Sequence, residues 1–224
     1  MRYGRCVASM PDLAVGYFRL EHLVCEVGRP GDPPGYLWYE LDWDDPAVVA
    51  ANEAVAPAGS ARVIAATRRG PHATVREVVP SIGPATHVQF EVPRSAEGRT
   101  AVAAIRDSGR TPVPALHLTA TPAGPGELRN RVEALAELGT DLIKLVFPAP
   151  RLEHIRWAEA LLDNWPQRSV GLSLTPAGGR QGRVAAALAG SRLVFAPLSA
   201  TAERMPASWY RALAVSASVG ADAA

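Results

Sequence analysis

The strongest constraint in this sequence is an alternation. Eight short apolar or β-branched runs, "RCVASM", "YLWYELD", "ARVIAAT", "THVQFEV", "VPALHLT", "DLIKLVF", "SVGLSL" and "RLVFAPL", are separated by longer segments of helical period. A strand, a crossover helix and a second parallel strand form the unit that such a pattern builds. Repeated along the chain, it predicts an α/β protein, a (β/α)8 TIM barrel, as a single domain over residues 1–218 with a frayed tail at 219–224. The clearest helix is expected over "GELRNRVEALAELG", where Leu128, Val132, Leu135 and Leu138 share one face and Gly139 marks the stop. Other helices are expected in "DPAVVAANEAV", "HATVREVV", "SAEGRTAVAAIRDSG", "LEHIRWAEALLDN", "GRVAAALAG" and "ASWYRALAV", and near the N-terminus in "LAVGYFRLEHLVCEVG". A doubly wound open sheet is the alternative. However, no GxGxxG follows the first strand and no Walker loop occurs, so nothing is built to cradle a nucleotide phosphate.

Charge narrows the partners. The 23 basic and 22 acidic residues leave a formal charge of +1, and the arginines are scattered among the acids, which argues against nucleic acid as the main partner. The longest apolar runs are strand-sized, far short of the roughly 20 residues that span a bilayer. The opening "MRYGRCVASMP" has no apolar stretch of the kind an export signal needs, so the protein is expected to be soluble and cytoplasmic, with no membrane partner. Cys6 and Cys25 form no CxxC, and His22, His72, His87, His117 and His154 occur singly, so neither a metal site nor a cofactor is expected.

The chemistry starts from the only lysine in the chain, Lys144, which lies inside the apolar run "DLIKLVF". An amine flanked by Leu142, Ile143, Leu145 and Val146 is expected to lose hydration, which disfavours the ammonium and makes the nitrogen a nucleophile able to form an imine with a ketone. In a barrel the C-terminal ends of the strands converge on one site. Strand five delivers His117 there, and "TPAGGRQGR" after strand seven delivers Arg183 at a helix start. An imidazole near its working pKa moves protons, and a guanidinium beside a helix N-terminus holds a carboxylate. The implied reaction is imine-assisted dehydration or aldol cleavage of a small oxo-acid.

These residues resemble a known family. "HLTATP" beginning at His117, "DLIK" ending at Lys144 27 residues later, "TPAGGRQGR" and "GSRLVFA" are similar to the "HDF..TP", "DIxK", "MGxxGxxSR" and "GSxxTFA" motifs of the type I 3-dehydroquinate dehydratases. The resemblance covers residues 113–198 and is looser in the first half. It implies a Schiff-base-forming hydro-lyase of the shikimate pathway on a TIM barrel, working as a homodimer without cofactor on a carbonyl or carboxylate small molecule. In that frame Lys144 forms the imine, His117 is the general acid/base, Arg183 and Arg68 (in "VIAATRR") bind substrate, and Thr175 and Phe195 line the pocket.

The chain also departs from the family. Where "ILEWRVD" offers a Glu and an Arg, "YLWYELD" has Trp38 and Glu40. The Asp after the His is Leu118, the acid beyond the Arg68 position is replaced by Gly70, Pro71 and His72, and the lid Ser and Gln become Ala202 and Pro206. Losing those acids removes the groups that would orient His117, and losing the clamp removes polar recognition of dehydroquinate. Two alternatives therefore stand beside the dehydroquinase reading. One is a divergent dehydratase or cyclase for a different metabolite, and the other is an inactive barrel that serves as a binding subunit.

Overall fold

The computed structural model describes residues 12–17, 38–46, 62–83, 85–92, 95–165, 171–177, 180–197, 205–206 and 208–210. Its strands are β1 (Asp12–Tyr17), β2 (Trp38–Asp42), β3 (Arg62–Ala66), β4 (His87–Glu91), β5 (Thr111–His117), β6 (Leu142–Pro148), β7 (Gly171–Ala177) and β8 (Leu193–Pro197). They form one parallel sheet in the order β7-β6-β5-β4-β3-β2-β1-β8. Between them lie α1 (Pro71–Ala73, continuing into a π-helical turn over Thr74–Val78), α2 (Ser95–Asp107), α3 (Pro125–Ala136), α4 (Leu152–Asn164) and α5 (Arg180–Leu188). This is a TIM-barrel-like α/β arrangement of curled parallel strands alternating with helices. None of the described helices is long and apolar enough to cross a membrane.

Side chains along a strand alternate between its two faces, and here the two faces do different work. Val88, Phe90, Ile143, Leu145, Phe147 and Leu174 pack outward in one large core with Ile105, Leu128, Val132 and Ile155 of the helices. Each such side chain contributes about 1.5–3 kcal/mol when fully buried. The opposite face supplies a small separate cluster, Ile64, Val113, Leu142, Leu193 and Phe195, inside the curl of the sheet. Gly139 ends the turn after α3 at φ +65°, the left-handed conformation that its place in the sequence predicts.

The strand edges are joined differently at one place. Backbone ladders connect every neighbouring pair in the order above, but among the described residues no ladder joins β7 to β8. There Ser191 bridges instead: its Oγ accepts the Leu174 N–H at 3.0 Å and donates to the Leu193 carbonyl at 3.0 Å.

Two expectations need correction. The first described strand is Asp12–Tyr17, the opening of a segment whose sequence predicts a helix; "RCVASM" lies outside the described residues. Leu13, Val15 and Tyr17 alternate with Ala14 and Gly16, and pairing with both β2 and β8 satisfies the backbone that a helix would have satisfied locally. "HATVREVV" gives one short turn and then a π-helical bond from Val79 N–H to the Thr74 carbonyl, because the Thr74 hydroxyl bonds back to Gly70 and Arg69 and disturbs the regular repeat. The helices expected at 45–55 and 207–215 fall mainly outside the described residues.

His87, at the start of β4, carries a pH prediction. Burial, with Arg62 adding and Asp141 opposing, holds its imidazole down at about 4, and Thr86 Oγ1 lies 2.8 Å from its Nδ1. The folded chain therefore resists protonation that the unfolded chain accepts near pH ~6.5. The stability contributed by neutral His87 is complete above that value and is lost as pH falls toward 4. Urea titrations at pH 7 and pH 4.5 are expected to show wild type losing about 2 kcal/mol more than His87→Gln, after allowance for partial exposure.

Candidate active site

Lys144 stands in the middle of β6 on the face it shares with Leu142, paired in register with Ala115 of β5 and Ser173 of β7. It is only 5% exposed. Its Nζ donates to Gln89 Oε1 at 2.9 Å, lies 3.3 Å from both carboxylate oxygens of Glu40, and sits 3.6 Å from the centre of the Phe195 ring. The three hydrogens of an ammonium thus meet an amide oxygen, a carboxylate and an aromatic face. Burial pushes the amine's pKa down, the Glu40 charge pulls it back up, and the Arg68 and Arg183 charges push it further down.

The source of the desolvation differs from the sequence expectation. Ile143 and Leu145 point away from Lys144 into the helix layer. The amine loses water because it is enclosed within the sheet, above the apolar floor of Ile64, Val113, Leu142 and Leu193.

His117 is the last residue of β5. Glu91, at the end of β4, accepts from the His117 backbone N–H through Oε1 at 2.6 Å, and its Oε2 lies 2.8 Å from Nδ1. The direction of this contact follows from the strand. Ala115 O receives a bond from Val92 and Leu118 N–H reaches Val146 O, so odd-numbered residues of β5 turn their backbone groups to β4 and even-numbered ones to β6. Pro112 and Pro114 accordingly remove donors only on the β6 side, where the ladder begins at Ala115. His117 N–H, one step past the β4 ladder, is free to take the Glu91 carboxylate. With Nδ1–H assigned to Glu91, Nε2 keeps its lone pair. Burial lowers the His117 pKa, Glu91 raises it, and the charges of Lys144 and Arg68 lower it, with a net shift downward that favours the neutral ring.

The expectation that His117 lacks an orienting acid is therefore corrected, since Glu91 supplies one. Glu91 and Gln89 are the two site residues that the sequence reading missed. Their signal lay in "HVQFEV", where polar His87, Gln89 and Glu91 alternate with apolar Val88, Phe90 and Val92.

Arg183 is the fourth residue of α5 and is 9% exposed. With Thr175 and Phe195, the aromatic neighbour of Lys144, it lines a small void of about 10 Å3. The preceding residue is glycine at a tight contact: a Cβ on Gly182 would stand 3.1 Å from Pro176 Cβ and 3.3 Å from its carbonyl oxygen, so α5 presses its first turn against the end of β7. Arg68 follows β3 and is exposed. Asp44 fixes its backbone, accepting from Arg68 N–H at 2.7 Å, Thr67 Oγ1 at 2.8 Å and Arg69 Nε at 3.1 Å. Among the described residues the Arg68 guanidinium forms no hydrogen bond or ion pair, and its charge reaches both Lys144 and His117. Trp38 is placed in β2 by its backbone, while its side chain and the whole of Ala202 lie outside the described residues. Pro206 is half-buried and its carbonyl accepts from Trp209 N–H at 3.0 Å. Among the described residues no group of three His, Cys, Asp or Glu side chains is arranged to hold a metal ion.

No family model and no curated protein matches this sequence. Solved structures do match. A type I 3-dehydroquinate dehydratase from Clostridium difficile, with covalently modified comenic acid, superposes with a TM-score of 0.73 at 12% identity over 92% of each chain. The 3-dehydroquinate dehydratase from Enterococcus faecalis gives 0.71 at 14% identity, covering 93% of this chain and 94% of that one. The chain shares the fold of the type I 3-dehydroquinate dehydratases. The same frame also carries other chemistry, as in N-(5'-phosphoribosyl)anthranilate isomerase from Pyrococcus furiosus, with a TM-score of 0.62 at 9% identity over 93% of this chain and 98% of that one.

Proposed function

We propose that this protein is a Schiff-base-forming lyase of the 3-dehydroquinate dehydratase kind, which eliminates water from a small oxo-acid through an imine on Lys144. The observation that carries the reading is one buried amine, its pKa pushed down, with His117 oriented by Glu91 on the adjacent strand. A ketone condenses with Lys144, and the positive imine nitrogen acidifies the neighbouring carbon. His117 Nε2 takes that proton and returns one to the departing β-hydroxyl, which leaves as water. Arg183 and Arg68 hold the substrate carboxylate, Thr175 and Phe195 line the pocket, and by the sequence resemblance Trp38, Glu40, Ala202 and Pro206 correspond to the family's clamp and lid positions. The same reading takes the chain as a closed (β/α)8 barrel, a single domain, acting in the cytoplasm as a homodimer without cofactor.

Borohydride added with dehydroquinate, or with a panel of 2-oxo acids, is expected to fix a mass adduct on the Lys144 peptide and to leave Lys144→Met unmodified. Absence of an adduct with every compound overturns the reading. A second reading keeps the imine and changes the substrate: Glu40 puts a carboxylate where the family has an arginine. Dehydroquinate turnover at ordinary family affinity would exclude it.

A further inference from the structure

Imine formation has to move protons, and among the described residues one group in contact with Nζ is able to carry them. Of the Lys144 partners, Gln89 cannot accept a proton at its amide oxygen under ordinary conditions, and Phe195 has none to exchange. Arg68 and Arg183, whose charges reach the amine, stay protonated. His117, on the next strand, is not among the described contacts of Nζ, and its Nε2 serves the carbon proton instead. Glu40 remains, with both oxygens 3.3 Å from Nζ and its side chain only 13% exposed. That spacing is longer than the ~2.7–2.9 Å of a tight charge-assisted pair. A buried ion pair is also a weak source of stability, because desolvation offsets the attraction. A structural role alone accounts poorly for a carboxylate placed there.

We infer that Glu40 is the acid–base partner of Lys144 in making and breaking the imine. The inference rests on the imine reading above and adds a catalytic residue to it. Glu40 carboxylate takes a proton from the Lys144 ammonium, so an N–H bond breaks and an O–H bond forms. The freed nitrogen pair adds to the carbonyl carbon, and the carbonyl π pair moves to oxygen. Glu40 gives its proton to that oxygen and takes one from the nitrogen, which leaves a neutral carbinolamine. It then protonates the hydroxyl; the C–O bond breaks, water departs, and the nitrogen pair closes the C=N bond of a protonated imine. Glu40 ends as it began, a carboxylate, now beside the positive imine nitrogen. Hydrolysis runs the same steps backward.

The test uses a probe that needs no specific recognition. Formaldehyde with cyanoborohydride methylates amines through an imine, and the sole lysine is read by peptide mass against the N-terminal amine as internal reference. The two roles for Glu40 predict opposite signs. If Glu40 only holds the ammonium charged, Glu40→Gln leaves more neutral amine and Lys144 is methylated faster at every pH. If Glu40 carries the protons, Glu40→Gln is slower by at least ~10-fold from pH 6 to 9, within the range that general acid–base groups supply. Glu40→Asp, which keeps a carboxylate, then retains more of the wild-type rate than Glu40→Gln. A Glu40→Gln rate equal to or above wild type overturns the inference, and so does a wild-type Lys144 that formaldehyde does not modify. Failure of the lyase reading is a separate result: methylation that depends on Glu40, with no borohydride adduct from any oxo-acid.

Discussion

The Lys144→Met protein will unfold about 3–5 kcal/mol more easily than wild type, yet adding Glu40→Leu to it will recover most of that loss. Methionine reproduces the lysine stem and sets a sulfur against the Phe195 ring, so the cavity and packing terms stay small. The cost comes from the group left behind. Glu40 is 13% exposed and would be left in an enclosed site without the ammonium it meets in the wild type. Replacing that carboxylate with leucine removes the stranded charge. Recovery will be incomplete because Gln89 Oε1 still loses the donor it meets at 2.9 Å, a deficit of about 1–3 kcal/mol for a buried acceptor. Urea unfolding of the four proteins in the cycle checks this. If the double variant is no more stable than Lys144→Met, the two charges do not form the buried pair described here.

The second large effect concerns the Glu91–His117 couple. Glu91→Gln is expected to reduce turnover by about 10²–10⁴-fold while the borohydride adduct on Lys144 still forms. The glutamine carbonyl can go on accepting the His117 backbone N–H, but its amide then donates to Nδ1 instead of accepting from it. The ring is driven to the tautomer with hydrogen on Nε2, and the base faces the site with no lone pair. Glu91 also raises the His117 pKa, so its loss lowers that pKa further. Whatever activity remains will therefore show its acid limb at lower pH than wild type. A pH–rate profile with single-turnover adduct formation separates this from general damage. Unchanged turnover would remove His117 and Glu91 from the mechanism.

Most of the strand and helix order was legible because each element states its own periodicity. β6 reads as a strand from "LIKLVF", and α4 has the bounds that "LEHIRWAEALLDN" predicts. Lys144 and His117 were legible because chemistry rarely found inside a strand marks itself. The partners were harder. Gln89 and Glu91 are ordinary polar residues at strand positions facing inward, and only the register of β4 against β5 says that they meet Lys144 and His117. Glu40 is 104 residues from Lys144 along the chain, and no local pattern can encode a pairing at that separation. The first strand was misread for a related reason. "DLAVGY" has no strong local preference, and its place is fixed by the two strands it lies between.

Ser191 gives the sheet a seam. Everywhere else, parting two strands means breaking a run of backbone amide pairs at once, whereas between β7 and β8 the described link is a serine side chain that holds one amide on one side and one carbonyl on the other. A hydroxyl link breaks one bond at a time. β8 carries Phe195, whose ring covers the Lys144 nitrogen, and β7 carries Thr175 on the neighbouring wall. The ring over the Lys144 nitrogen is thus carried by a strand whose described tie to β7 is a side chain, while Glu40, Gln89, Glu91 and His117 stand on strands laddered to both neighbours.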